Sequence, residues 1–149
     1  MINLGELELE AREGLPEGYR VRAAALRAAL GSELLGGNVY ELDAGQSVGP
    51  YHYEIGIEEW LIVLSGSPLL RTPEGEERLS AGDVVCFPEG PAGAHKVTNV
   101  DRRPLRVLMI STQEEVSACV YPDSAKIGVW PPGKLFREDD AVPYWTGEA

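Results

Sequence analysis

The chain has 149 residues, 44% of them hydrophobic, with a formal net charge of −11 and a pI of about 4.6. That length suits one domain that buries a core without disulfide staples, and that composition excludes a disordered chain. No apolar run approaches the roughly 20 residues that span a bilayer, and so acidic a surface repels phosphate backbones, so neither a membrane nor a nucleic acid is an expected partner. The opening Met-Ile-Asn-Leu-Gly-Glu has no basic segment followed by an apolar one, which makes a cytoplasmic location the expectation.

Residues 4–10 alternate apolar and charged, as a short strand with one wet face does. Gly14-Leu-Pro-Glu-Gly18 is a turn, residues 19–23 extend again, and Leu26, Ala29 and Leu30 fall at helical spacing before a stop at Gly31. From Asn38 short runs of Val, Tyr, Leu and Ile alternate with Gly, Pro and Asp punctuation. The predicted strands are 38–43, 50–54, 59–72, 77–79, 84–87, 95–100 and 105–111, with a hairpin turn at Pro73-Glu74-Gly75-Glu76. This regular spacing belongs to a sandwich, jelly roll or barrel. Residues 116–121 make a last strand. Pro122, Pro131, Pro132 and Pro143 then break regular structure, so the tail is expected to wrap the barrel and bury Trp130, Phe136 and Trp145 against it. The chain is one domain: an N-terminal arm over 1–37, a barrel core over 38–112 and a C-terminal wrap over 113–149.

Along residues 59–64, Glu59, Leu61 and Val63 share one face while Trp60, Ile62 and Leu64 share the other. A strand apolar on both faces needs its outer side covered, by the terminal arms or by a second copy of the chain, and a homodimer helped by the N-terminal arm is expected. Cys86 and Cys119 lie in apolar surroundings without Cys-x-x-Cys spacing and read as buried reduced thiols.

The chain has only two histidines. His52 and Glu54 are two apart on a predicted strand and face the same side; Glu59 opens the next strand on its core face; His95, Val97 and Asn99 form a third inward row. Imidazole nitrogens and carboxylate oxygens converging from separate strands are suitable donors for a divalent metal. A single such His is more often a packed core residue, and a single Glu at a strand start is usually solvated; the combination points to a metal site. Lysine and arginine are absent from residues 38–70, so a buried Glu54 needs a compensating charge, for which an ion is the simplest source. Alternatively Glu54 lies hydrated at the barrel mouth and acts as a base or substrate contact. Tyr51 and Tyr53 alternate away from His52 and take no catalytic role.

Two stretches resemble the paired motifs of the cupin superfamily. His52-Tyr53-Glu54, four residues, Glu59, six residues, Gly66 is similar to the first motif; Gly82, five residues, Pro88-Glu89-Gly90, four residues, His95, three residues, Asn99 is similar to the second. The resemblance covers residues 39–111 and implies an all-β double-stranded β-helix, a jelly-roll barrel, with a short N-terminal helix and an irregular tail in this chain. It also implies one metal ion held by the motif positions His52, Glu54, Glu59 and His95. Glu54 stands where the family has a second His, the loop before His95 is two residues longer, and Gly45 precedes His52 one residue too early. A two-His, two-carboxylate set neutralises a divalent ion and favours manganese or iron(II), with nickel and zinc also in range. Spacing to Gly66 favours Glu59 over its neighbour Glu58.

The fold alone does not choose a function. A metal-dependent oxygenase, isomerase or decarboxylase acting on a small molecule in the barrel, a non-catalytic small-molecule or metal-binding module, and a structural barrel with a decayed site are all compatible with the resemblance. The complete four-residue constellation argues against the last.

Overall fold

A computed structural model describes residues 1–148; Ala149, the end of the expected wrap, lies outside the described residues. Thirteen strands and one short helix follow in order: β1 (Glu10–Ala11), β2 (Val21–Ala25), α1 (Arg27–Leu30), β3 (Leu35–Leu42), β4 (Tyr53–Ile55), β5 (Glu59–Ser65), β6 (Leu69–Thr72), β7 (Gly75–Arg78), β8 (Val84–Phe87), β9 (Lys96–Thr98), β10 (Leu105–Thr112), β11 (Ser117–Tyr121), β12 (Lys126–Trp130) and β13 (Lys134–Arg137). A six-stranded sheet runs β1-β2-β3-β10-β5-β8, a four-stranded one β13-β12-β11-β4, and a three-stranded one β7-β6-β9, all antiparallel. The all-β barrel read from the sequence is the architecture found.

The large sheet is apolar on both faces, as the alternation in 59–64 requires. Inward, Leu42, Leu61, Val63, Phe87, Leu105, Val107 and Met109 build the main core with Leu70 and Val97 from the three-stranded sheet. Outward, Val39 and Leu108 pack with Leu26, Ile62 and Leu64 beneath Ile2, Leu4, Leu7 and Leu9 of the N-terminal arm. The N-terminal arm therefore covers part of the outer face, and Trp60 on that face stays exposed. Only Glu10–Ala11 of its alternating stretch pairs as a strand; residues 4–9 lay their leucines on the sheet without joining a ladder. Helix α1 is a single turn, closed by Gly31 in the left-handed region at φ 66°.

Three expectations are corrected. The run 59–72 is two strands, because Gly66 at φ 83° turns the chain and Pro68 has no N–H to continue a ladder. The prolines of the tail punctuate rather than abolish structure: Pro122 opens a 3₁₀ turn, Pro131 and Pro132 fall between strands, and β12 and β13 form a hairpin that extends the β11 sheet. A hairpin added at a sheet edge does not fold back over the barrel, so Trp130, Phe136 and Trp145 are exposed rather than buried. Cys86 is exposed too, since its register partner is the outward Trp60; Cys119 is buried, and both thiols are free.

Asn99 is fully buried and fastens the turn before β10: its Nδ2 donates to the carbonyls of Leu42 (2.8 Å) and Arg103 (2.9 Å), and its Oδ1 accepts from the Asp101 N–H (2.9 Å). Asn99→Ala leaves those backbone groups unpaired. The expected loss is about 3 kcal/mol, read as a lower urea midpoint at unchanged slope; a change below about 0.5 kcal/mol counts against this role.

Candidate metal centre

His52 and His95 are brought together by the backbone itself. Outside the named strands they form an antiparallel bridge, His52 N–H to His95 O at 3.1 Å and His95 N–H to His52 O at 2.8 Å. Residues directly opposite in such a pair put their side chains on one face, and the ring centroids lie 4.7 Å apart. The register of β5 against β8 sets Glu59 opposite Phe87, whose ring stacks on His95 at 3.7 Å and 8°. The register of β4 against β11 sets Glu54 opposite Cys119. These placements deliver His52, Glu54, Glu59 and His95 to one cavity of about 250 Å³, also lined by Tyr40, Tyr121, Val97 and Met109.

The histidines are oriented alike. Nδ1 of His52 lies 2.8 Å from the Pro50 carbonyl oxygen, and Nδ1 of His95 lies 2.9 Å from the Gly93 carbonyl oxygen. A carbonyl only accepts, so each Nδ1 carries a proton and donates, which leaves Nε2 as the ring nitrogen available to ligate. Backbone-anchored Nδ1–H with a free Nε2 is the arrangement that metal-binding imidazoles use. His95 Nε2 faces Glu59 Oε2 at 3.2 Å. Two acceptors at that distance need a proton or a cation between them. Burial, with His95 alongside, pushes the His52 pKa down, so this ring stays neutral and able to ligate at neutral pH.

Donor atoms of His52, Glu59 and His95 lie within 4.8 Å of one another, as do those of His52, Glu54 and Cys119. His52 is thus shared by two adjoining clusters, and Glu54 belongs to the one with Cys119. Burial first, and Glu59 second, push the Glu54 carboxyl up to about 7; burial likewise pushes the Cys119 thiol up to about 12. Two carboxyl groups enclosed with two imidazoles are stabilised as anions by a bound cation, and the donor set fits a divalent ion. Glu58 is exposed and accepts from the Trp60 indole N–H at 3.1 Å, consistent with Glu59 as the inward residue. Tyr51 and Tyr53 do not line the cavity.

The sequence reading missed Tyr40, Met109, Cys119 and Tyr121. Tyr40 alternates with the fully buried Leu42, and Met109 with Val107 and Leu105, so strand phase carried a signal for both. Cys119 and Tyr121 share a strand face, but that β11 lies against β4 is a long-range pairing no local pattern encodes.

The cupin domain family model matches residues 38–111. No curated protein sequence matches the chain. Among solved structures, a provisionally named sugar phosphate isomerase of Acidithiobacillus ferrooxidans superposes with a TM-score of 0.85 at 23% identity, covering 96% of this chain and 95% of that one. A sugar phosphate isomerase from a cupin superfamily, of Silicibacter pomeroyi, gives 0.83 at 22% identity, covering 96% of each. A predicted oxalate decarboxylase of Thermotoga maritima gives 0.63 at 22% identity, covering 76% of this chain and 99% of that one. At these identities the likeness is one of fold. The family match begins inside β3, ends inside β10, and takes in both histidines and both cavity carboxylates, so this chain belongs to the cupin superfamily.

Proposed function

We propose that the chain is a divalent-metal-dependent enzyme that takes a small hydroxylated carbonyl compound into the barrel and isomerises it. The observation that carries this reading is the paired orientation of the histidines, each with Nδ1–H on a backbone carbonyl and Nε2 left for the cavity carboxylates or an ion. His52, Glu59 and His95 would hold the ion, which when bound polarises a substrate oxygen. Glu54 is the remaining carboxylate of the cavity, placed as a fourth ligand or as the base that moves a proton between neighbouring carbons. Tyr40 and Tyr121 supply hydroxyls that orient the substrate, and Val97 and Met109 limit water. The names of the two neighbours that match over nearly their whole length support isomerisation.

The test is elemental analysis of purified protein, then NMR of hexose and pentose monophosphates incubated with manganese-loaded and chelator-treated samples. Expected are one divalent ion per chain and interconversion of an aldose and its ketose that chelator stops. Protein that neither contains nor takes up manganese, iron(II), nickel or zinc overturns the reading. A second reading, oxygenation, is favoured by the two-His, one-carboxylate cluster His52, Glu59 and His95, a donor set suited to iron(II) with open positions. Oxygen uptake with iron(II), without isomerisation, selects it.

The chain is also proposed to be a homodimer. Trp60 is 46% exposed, and the tail leaves Phe136 52% and Trp145 74% exposed, more large apolar surface than a monomer usually shows. Sedimentation at micromolar concentration is expected to give twice the chain mass, and Trp60→Glu to shift it toward the monomer; a wild-type monomer rules the dimer out.

A further inference from the structure

Beside the metal cavity lies a second one of about 480 Å³, and the two share Val48, Gly49 and Pro50 as a common wall. Three cations surround this junction. Arg12 and Lys126 line the outer cavity, and Lys96 lines the inner one. Each lies against a tyrosine: the Arg12 guanidinium 5.3 Å from the Tyr40 ring centre, Lys96 Nζ 5.4 Å from that of Tyr19, and Lys126 Nζ 5.4 Å from that of Tyr121. Tyr40 and Tyr121 line the inner cavity and Tyr19 the outer, so the cations mark the passage between the two. Among the described residues none of the three makes an ion pair. The one carboxylate lining the outer cavity, Asp123, is already held by Arg71 through two hydrogen bonds of 2.6 and 3.0 Å.

In a chain of net charge −11, three cations without a carboxylate partner at the mouth of a site form a local field opposite to the global one. Such a patch selects small anions that the rest of the surface repels. We infer that the outer cavity is an anion subsite that receives the phosphate end of a substrate whose carbonyl end occupies the metal cavity. Arg12, one of whose terminal amino groups also donates to Asn38 Oδ1 at 3.1 Å, supplies its remaining N–H groups to the phosphate; Lys126 adds a point charge in the same cavity and Lys96 one from the adjoining inner cavity. Tyr19 and Tyr121 hold the lysine ammonium groups in place by cation–π contact, which reduces the ordering needed on binding. This inference deepens the proposed function and rests on it for the carbonyl end only.

The experiment uses chelator-treated, metal-free protein, so that anion binding is read apart from metal chemistry. Isothermal titration is carried out with inorganic phosphate, fructose 6-phosphate and fructose. Saturable binding of both phosphates is expected, with fructose 6-phosphate at least tenfold tighter than fructose. The double variant Arg12→Gln, Lys126→Gln should weaken fructose 6-phosphate at least tenfold while metal uptake is unchanged. Equal binding of fructose and its phosphate overturns the inference. So does a double variant that keeps wild-type affinity, or one that only melts earlier, because the cations would then serve merely to pack the tyrosines. Phosphate binding in a protein that takes up no metal would sink the metal-dependent reading and leave the subsite standing.

Discussion

His95→Ala is expected to lower manganese affinity by at least ~100-fold, since loss of a mere supporting partner of a ligand already costs 10- to 100-fold. His95 is 3% exposed, is clamped by the Gly93 carbonyl through Nδ1, stacks on Phe87, and aims Nε2 at Glu59 across 3.2 Å. Removing the ring deletes one of the two imidazole donors and the 3.2 Å partner of Glu59. Competition against a fluorescent chelator reads the affinity, and circular dichroism checks that the variant is folded. His95→Gln fills much of the space and is expected to recover stability without recovering affinity. Wild-type affinity in a folded His95→Ala protein would place the metal centre elsewhere or nowhere.

Gly93→Ala is expected to cost stability and site together. Gly93 closes the 3₁₀ turn Pro91–Gly93, its N–H donates to Gly90 O at 3.0 Å, and it is buried. A Cβ added there would overlap the backbone carbonyl of Pro88, which is not a flexible side-chain end that moves aside. The turn must shift, and the Gly93 carbonyl that holds His95 Nδ1 shifts with it. A loss of about 3 kcal/mol is expected, at the upper end of overpacking costs, together with weaker metal binding. Ala92→Ser, exposed in the same turn, is the control and is expected to stay within about 0.5 kcal/mol of wild type. Unchanged urea midpoint and unchanged metal affinity in Gly93→Ala would show that the turn does not position the histidine.

The barrel was legible because its strands carry period-two patterning. Leu61 and Val63 inward, Ile62 and Leu64 beneath the arm, follow from alternation alone. The convergence of His52, Glu59 and His95 on one cavity was legible for the same reason, helped by the motif spacing, since only two histidines had to be placed. Cys119 beside Glu54, and the cations around the junction, depend on which distant strands pair, and no local pattern states that. The tail departs from its sequence expectation because proline breaks only a ladder it interrupts, and Pro131 and Pro132 sit between β12 and β13, where a turn has no ladder hydrogen bond to lose. The expected burial of Trp130 and Phe136 rests on an irregular tail that wraps the barrel, and it fails with that premise once β12 and β13 form an edge hairpin.

The position of β10 in the large sheet has a kinetic consequence. It lies between β3 and β5, and its register with β3 joins Leu42 to Leu105 and Leu35 to Thr112, residues more than sixty apart in sequence. Each such pairing must close a long loop before any ladder or core contact compensates for the lost chain freedom. Local hairpins such as β6–β7 and β12–β13 close short loops and form early; the zipping of β10 between its two neighbours is the slow event, on the millisecond-to-second scale of strand-rich topologies. His52 and His95 meet through their own bridge, and Glu59 is set beside them by the register of β5 with β8, pairings that close shorter loops than that of β10 with β3; the donors therefore converge without β10, whereas Tyr40 and Met109 complete the cavity wall only when β3 and β10 pair.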